Sequence, residues 1–415
     1  MTLHSIPISH EKQLDAASCG EMYSGDVLKL LPSLLEKYSE QVQLIYLDPP
    51  FTTGQDFIMR MRVGEKDWRT GVGSLELPAY SDKYTTETYL DFMRTVLKGA
   101  RELLSDTGVI FVHIDYRMSA HIRLLLDEVF GEGNFLNEIV WSYQTGGRAK
   151  KFFSRKHDSI YFYRKTRRYY FDLESIPISR SDTRHNHMKR LVDADGRVYR
   201  SIKTGGKVYT YYDDEPAYPG DVWDDVSHLQ QKDPQRTGYD TQKPLSLLER
   251  IIRCASKEGD LVCDLFSGSG TTLEAAWQEG RRFLGADISP FAFQLSKRRL
   301  AASSADFHAE PAENAPEARA NIVPGIAYYD IDLESYAGDA LLTDRTVHNL
   351  DSIDGWAVGY IRDGVFVSMS SDYRLRAKPE LKTTLQLPVY EGVPCIRISD
   401  VFGREFYYTF TNQNT

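Results

Sequence analysis

Three short apolar runs along the chain each reach an acidic residue as they enter a turn. They are Leu44-Ile45-Tyr46-Leu47-Asp48, Leu261-Val262-Cys263-Asp264-Leu265-Phe266 and Phe283-Leu284-Gly285-Ala286-Asp287. Runs of this length without polar alternation fit parallel strands covered on both faces of a sheet. Val109-Ile110-Phe111-Val112-His113-Ile114 reads as a further strand. Helical patterns alternate with these runs. Asp26 to Tyr38 places apolar residues at 27, 28, 30, 31, 34 and 35, and Thr86 to Leu104 is amphipathic, with Ser105-Asp106-Thr107-Gly108 as its expected stop. Further helices are predicted at Met118–Phe130, Leu245–Ser256, Thr272–Glu279 and Pro290–Ala301. Strand–helix alternation implies an α/β, doubly wound, Rossmann-like sheet that binds its ligands at the carboxyl ends of the strands.

The rhythm breaks from about Lys165 to Tyr239, a polar, basic and aromatic stretch with turns at Asp195-Gly196 and Gly205-Gly206. It reads as an insertion with short strands. Residues 303–318 have the composition of a linker, and Ile322 to Phe410 is rich in Val, Ile and Tyr with frequent turns. The expected organisation is therefore a core over 20–165 and 240–302, an insertion over 166–239, the linker, and a small mostly-β domain over 319–415. No internal repeat is visible.

Composition narrows the class. Of 415 residues, 41% are hydrophobic and 26% charged, the profile of a globular chain. No apolar run approaches the ~18 residues of a membrane span, and Met1 to His10 lacks the pattern of a secretory signal. Cys19, Cys254, Cys263 and Cys395 are scattered, which suggests neither a disulfide framework nor a metal site. A cytoplasmic protein without membrane contact or metal is expected. The net charge of −9 is unevenly spread. Trp141 to Tyr212 holds 17 Lys and Arg against 6 Asp and Glu, whereas Ala302 to Thr415 holds 9 against 17. A basic surplus interleaved with Tyr and Phe suits phosphate contact and base stacking.

Two strand-end loops carry the candidate chemistry. In Asp264-Leu265-Phe266-Ser267-Gly268-Ser269-Gly270-Thr271-Thr272, Gly268 and Gly270 allow the backbone to approach a ligand at a helix N-terminus. The loop lacks the third glycine of a dinucleotide fingerprint and the Lys-Ser/Thr of a P-loop. Asp287, at the end of the next strand, suits hydrogen bonding to ribose hydroxyls, with a helix N-cap as the bland alternative. In the second loop, Asp48-Pro49-Pro50-Phe51, the prolines remove backbone donors and fix φ. The loop is rigid and rich in acceptors: Asp48 and the Pro49 carbonyl can accept from an amino group while Phe51 stacks on a planar base.

On these motifs the chain resembles the beta class of amino-methylating DNA methyltransferases, in which the Asp-Pro-Pro-aromatic loop precedes the recognition insertion and the Phe-x-Gly-x-Gly loop follows it. Gly25-Asp26 resembles the family's cofactor-adenine contact, and Lys156-His157-Asp158-Ser159-Ile160-Tyr161 the segment before the insertion. Thr241-Gln242-Lys243-Pro244 is similar to the element beside the methionine end of the cofactor, and Gly285-Ala286-Asp287-Ile288 to the ribose-binding motif. The resemblance spans about residues 20–300. The chain departs from the family at Asp240, where Pro after His is common, and at Thr52-Thr53-Gly54, where an Asn-containing continuation is commoner.

The resemblance implies methyl transfer from S-adenosylmethionine to an exocyclic amine, adenine N6 above cytosine N4 because Asp48 stands where N4-cytosine enzymes more often carry Ser. It implies catalysis by Asp48, Pro49, Pro50 and Phe51, and cofactor binding by Asp26, Lys243, Asp264, Phe266, Gly268, Gly270, Thr271 and Asp287. The substrate is expected to be double-stranded DNA with its target base flipped out. Arg148, Lys150, Lys151, Arg155, Arg164, Lys165, Arg167 and Arg168 are the expected contacts to phosphate or guanine. An RNA adenine substrate and a non-catalytic nucleic-acid-binding subunit remain alternatives. Cytosine C5 chemistry would need a thiolate, and Pro394-Cys395 reads as structural. The acidic C-terminal region suggests a homodimer contact or a restriction-modification partner.

Overall fold

The computed structural model describes residues 19–52, 84–143, 149–178, 189–230, 241–302, 315–337, 350–362, 364–374, 380–401 and 404–410, short strands at 4–6, 10–13, 56–62, 74–81 and 306–308, and residues 233, 235–237, 239 and 378. Seven strands build the core: β1 (Cys19–Ser24), β2 (Val42–Leu47), β3 (Leu104–Ile114), β4 (Phe135–Ser142), β5 (His157–Arg164), β6 (Leu261–Asp264) and β7 (Arg282–Asp287). They lie in the order β1-β7-β6-β2-β3-β5-β4. The first five run parallel, while β5 is antiparallel to both β3 and β4.

Alternation along these strands sorts the core into two layers. Ile45 and Leu47 of β2 and Ile110, Val112 and Ile114 of β3 meet α1 (Val27–Tyr38), α2 (Thr86–Leu103) and α3 (Ser119–Phe130). Leu44, Tyr46, Val109 and Phe111 face the other way, toward α4 (Leu245–Ala255), α5 (Thr271–Gln278) and α6 (Pro290–Ala302). Both faces are covered, as the unbroken apolar runs imply. Asp26 caps α1 by accepting from Leu28 N at 3.0 Å, and Thr85 and Thr88 form a capping box on α2.

One predicted boundary differs. Helix α2 ends at Leu103 and the chain enters β3 at Leu104, so Gly108 lies inside the strand rather than at a helix stop. A Cβ on Gly108 would stand 2.9 Å from Val42 O. The glycine serves the close approach of β2, not a left-handed cap. The hairpin of β4 and β5, unmarked by any run in the sequence reading, extends that end of the sheet, and Val222–Trp223 pairs parallel to β4 beyond it. The insertion contributes a three-stranded antiparallel sheet of Arg190–Val192, Val198–Thr204 and Lys207–Tyr212.

The C-terminal region is mostly β. Strands β8 (Ala318–Pro324), β9 (Tyr328–Tyr336) and β12 (Thr384–Pro388) form one small sheet. Strands β10 (Ile353–Arg362), β11 (Val365–Tyr373), β13 (Val393–Asp400) and β14 (Glu405–Thr409) pair in the order β14-β13-β10-β11. That array continues through His10–Gln13 and Asp306–His308 onto β1 of the core. Helix α6 also reaches into it: Arg298 Nη1 lies 3.0 Å from both carboxylate oxygens of Asp354, and Lys297 pairs with Glu405. Removing one member of a buried ion pair leaves an uncompensated charge, costing about 3–5 kcal/mol. Asp354→Ala is therefore expected to lower the unfolding free energy by several kcal/mol in urea titration, with Asp354→Asn losing less.

Candidate functional site

The parallel pairing of β6 with β2 (Val262 opposite Leu44, Cys263 opposite Ile45) and with β7 (Asp264 opposite Gly285) brings three strand ends to one edge. A cavity of about 560 Å³ opens there, lined among others by Asp26, Asp48, Asp264, Phe266, Asp287 and Lys243.

The glycine loop is tied to its own carboxylates. Asp264 accepts from Phe266 N at 3.0 Å and Thr272 Oγ1 at 2.5 Å. Asp287 accepts from Gly268 N and Ser289 N, each at 2.8 Å, and its carbonyl accepts from Gly25 N at 2.9 Å. Burial pushes Asp264 up to about 7 against the pull of the Thr272 and Phe266 hydrogen bonds, with Asp48 and Asp287 adding like charge. Burial pushes Asp287 up to about 6, opposed by the Ser289 and Gly268 amides. Gly270 begins α5 at φ +77°, and Ser296 of α6 donates to Gly268 O at 3.0 Å.

The Asp48 loop faces this wall. Lys243 Nζ donates to Asp48 Oδ2 at 2.5 Å, while Asp48 Oδ1 is buried with no hydrogen-bond partner among the described residues. Lys243 also stands 5.4 Å from the Phe51 ring. The opposite side of Phe51's surroundings is a buried network that the sequence reading missed. His113, fully buried, stacks with Phe51 at 6.2 Å between ring centroids. Its Nδ1 lies 2.8 Å from Tyr46 OH and its Nε2 3.2 Å from Asp158 Oδ2. An ionised Asp158 can only accept, so Nε2 of His113 donates to it. Burial would raise Asp158, but the His113 hydrogen bond and charge, Lys243 and the Tyr143 hydroxyl hold it below the usual carboxylate range. Polar residues inside apolar runs were the only signal in the sequence for this network.

The expected site residues divide by location. Asp26, Asp48, Pro50, Lys243, Asp264, Phe266, Gly268, Thr271 and Asp287 line the cavity, and Gly270 shapes the loop. Pro49 and Phe51, expected to be catalytic, belong to the Asp48 loop without being among the residues that line the cavity. Lys243 differs in partner: expected beside the cofactor, it holds Asp48. Asp26 spends one carboxylate oxygen as the α1 cap. Tyr46, Tyr84, Phe92 and Tyr239 add an aromatic lining that no motif announced.

The basic residues split between the two edges of the sheet. Lys150, Lys151 and Arg155 precede β5 and so lie at the carboxyl edge, the edge on which the cavity opens; Arg148 and the Thr53-Gly54 and Asp240 positions lie outside the described residues. Arg164, Lys165, Arg167 and Arg168 follow or end β5, which is antiparallel, so they lie at the amino edge. There Arg164 donates to Asn134 Oδ1 and Gly133 O, Lys165 to Leu104 O, and Arg168 to Asp106. The structure does not bring these four to the cavity.

Residues 42–298 match the family described as DNA methylase, the N6/N4 class of these enzymes. The chain belongs to that family. A type II methyltransferase of Enterobacter cloacae, M.EcaI, is 30% identical over 310 residues, covering 63% of this chain and 65% of its own length. The DNA adenine methyltransferase YhdJ of Escherichia coli is 26% identical over 268 residues, covering 64% and 78%. The chain thus spans just under two thirds of M.EcaI. Among solved structures, M1.HpyAVI with S-adenosylmethionine is 16% identical, covering 68% of this chain and 98–99% of its own across two crystals, at a TM-score of 0.39.

Among the described residues no group of His, Cys, Asp and Glu could hold a metal ion, and no helix is long and apolar enough to cross a membrane. The glycine loop offers a direct test of the site's construction. A Cβ on Gly270 would stand 2.6 Å from Ser296 Oγ and 2.8 Å from Ser296 Cα, in a left-handed backbone. Left-handed geometry alone costs a residue with Cβ about 1–2 kcal/mol. Gly270→Ala is expected to lose at least that much in denaturant unfolding, whereas Gly196→Ala, where a Cβ meets nothing within 4 Å, loses only the backbone strain.

Proposed function

We propose that this DNA methylase transfers the methyl group of S-adenosylmethionine to N6 of an adenine flipped out of duplex DNA. The observation that carries the reading is Asp48 Oδ1, a buried acceptor without a partner among the described residues, on a rigid loop in the same cavity as Asp287 and the glycine loop. An unsatisfied buried carboxylate oxygen is costly unless a ligand donor completes it.

The residues fit the donor molecule. Asp287 lies where ribose hydroxyls can donate, the Gly268–Gly270 turn admits close approach, and Phe266 and Phe92 offer apolar contact. When bound, S-adenosylmethionine supplies an electrophilic methyl group on a sulfonium. The chain's own contribution is to make an exocyclic amine reactive. Such an amine has its lone pair delocalised into the ring. Accepting an N–H at Asp48 Oδ1 and a second at the Pro49 carbonyl favours a pyramidal nitrogen and stabilises the positive charge that develops on it. Lys243 fixes the Asp48 rotamer through the other oxygen, and His113 holds Phe51 from behind. No covalent intermediate is required. Buried Cys263 has its thiol pushed well up by burial and by Asp264, the opposite of a nucleophile's environment. Adenine is favoured by Asp48 itself and by the likeness to YhdJ, named as an adenine enzyme.

The test is transfer of labelled methyl to duplex DNA, with nucleosides identified by mass spectrometry. N6-methyl-2′-deoxyadenosine is expected, and Asp48→Ala should reduce the rate by about 10²–10³-fold, the loss seen when one transition-state hydrogen bond is removed. N4-methylcytosine as product would overturn the adenine assignment, and transfer to RNA alone the duplex substrate. A pH series gives a second check. Ribose donors favour ionised Asp287, whose pKa in the free protein is about 6. Affinity for S-adenosylmethionine should therefore be level above about pH 7 and fall by up to about tenfold per unit as pH drops below 6. The linked stability has the opposite sign. With Asp264 and Asp287 raised from 3.8, the ligand-free fold binds extra protons and loses stability as pH rises through that window.

A further inference from the structure

Phe153 is 97% exposed and its neighbour Phe152 60% exposed, which makes Phe153 the most exposed aromatic side chain among the described residues. They stand in Ala149-Lys150-Lys151-Phe152-Phe153-Ser154-Arg155-Lys156, directly before β5. Two adjacent, outward phenylalanines cost solubility unless something covers them. Four cations within the same eight residues point to a polyanionic cover rather than an apolar protein face.

The position of the pair defines what that cover would present. The Arg155 guanidinium lies 3.9 Å from the Tyr116 ring, donates to Tyr116 OH at 2.6 Å, and lies 4.9 Å from the Phe152 ring. Tyr116 leaves the carboxyl end of β3, next to the β2 end from which Asp48 and Phe51 emerge, since Leu47 pairs with Val112. His113, three residues earlier, stacks on Phe51. The pair is thus braced from the same strand end that backs the catalytic loop, and it projects beyond it.

We propose that Phe152 and Phe153 form an apolar wedge that enters the base stack of duplex DNA at the place the target nucleotide leaves. This rests on the duplex methylation reading above. Extruding a base opens a gap and forfeits stacking. An inserted aromatic side chain fills that gap and holds the base outside. Lys150 and Lys151 contact the flanking phosphates, and Arg155 keeps Phe152 at a set angle. Phe153, the more exposed ring, enters deepest. Lys150 and Lys151, two of the basic residues singled out in the sequence, thereby gain a place in the reaction.

The experiment uses the full chain and two duplexes carrying the mapped methylation site. One is fully paired, and the other has an abasic position opposite the target base, so that extrusion requires little help. Phe153→Ala is expected to slow single-turnover transfer to the paired duplex by about 10- to 100-fold, the range of one lost base–aromatic stack. It should leave transfer to the abasic duplex within about threefold of wild type, and Phe153→Trp should retain most activity on both. Fluorescence of 2-aminopurine at the target position should rise on binding to wild type and much less with Phe153→Ala. Equal rates for wild type and Phe153→Ala on the paired duplex would overturn the wedge, as would an equal loss on both duplexes. No transfer by the wild-type chain to either duplex would instead overturn the function on which the wedge rests.

Discussion

The parallel pairing of β2 with β6 is the constraint on which the site depends. It sets Ile45 opposite Cys263 and so places the Asp48 loop against the Asp264 loop, although 216 residues separate the two carboxylates. Nothing local to either loop could achieve this. The apolar layers on both faces of the sheet fix the register, because a slip of one residue would turn Leu44 and Tyr46 toward the wrong helices. Chemistry at the edge is therefore a consequence of packing in the middle.

The same pairing creates an electrostatic problem. Asp48, Asp264 and Asp287 converge on one cavity, and among the described residues lining it Lys243 is the only Lys or Arg. Burial is the largest cause of the raised pKa values of Asp264 and Asp287, and like charge from Asp48 and Asp287 adds to it at Asp264. A cationic ligand relieves it. A sulfonium donor with its own ammonium group suits such a cavity better than a phosphate-bearing cofactor, which would add negative charge to the carboxylates that line it. The absence of a P-loop lysine in the glycine loop and the presence of Asp287 lead to the same conclusion.

What was legible in the sequence follows from how far each interaction reaches along the chain. The Asp48 to Phe51 loop, the Gly268–Gly270 turn and Asp287 are contiguous signals at the ends of apolar runs, and the fold places them as those runs imply. Helices α1 to α6 follow from periodicity to within about a residue or two at either end. The Lys243–Asp48 pair spans 195 positions and the His113–Asp158 contact 45, and neither has a local signature. The basic residues at 164–168 illustrate a different limit. A charge run shows that a surface is positive but not which end of a strand it occupies. The antiparallel course of β5 carried those residues to the edge opposite the cavity, while Lys150, Lys151 and Arg155, just before it, stayed on the near side. Similarly, Gly108 looked like a helix stop because close strand packing and a left-handed cap both select glycine.

Helix α6 joins regions that composition alone would separate. On one side its Ser296 holds Gly268 O and its Arg299 donates to Thr271 Oγ1 at 2.8 Å, both in the glycine loop. On the other, Lys297 and Arg298 are paired with Glu405 and Asp354 of the C-terminal strands. Of these four successive residues the outer two thus reach the glycine loop and the inner two the β array. These contacts bury charge, and buried ion pairs add little net stability but specify geometry strongly. Strand Asp306–His308, pairing with β1 where a free linker was expected, adds a backbone tie to the same junction. An appendage used only to meet a partner would need none of this. One turn of one helix thus contacts both the glycine turn and the C-terminal strands.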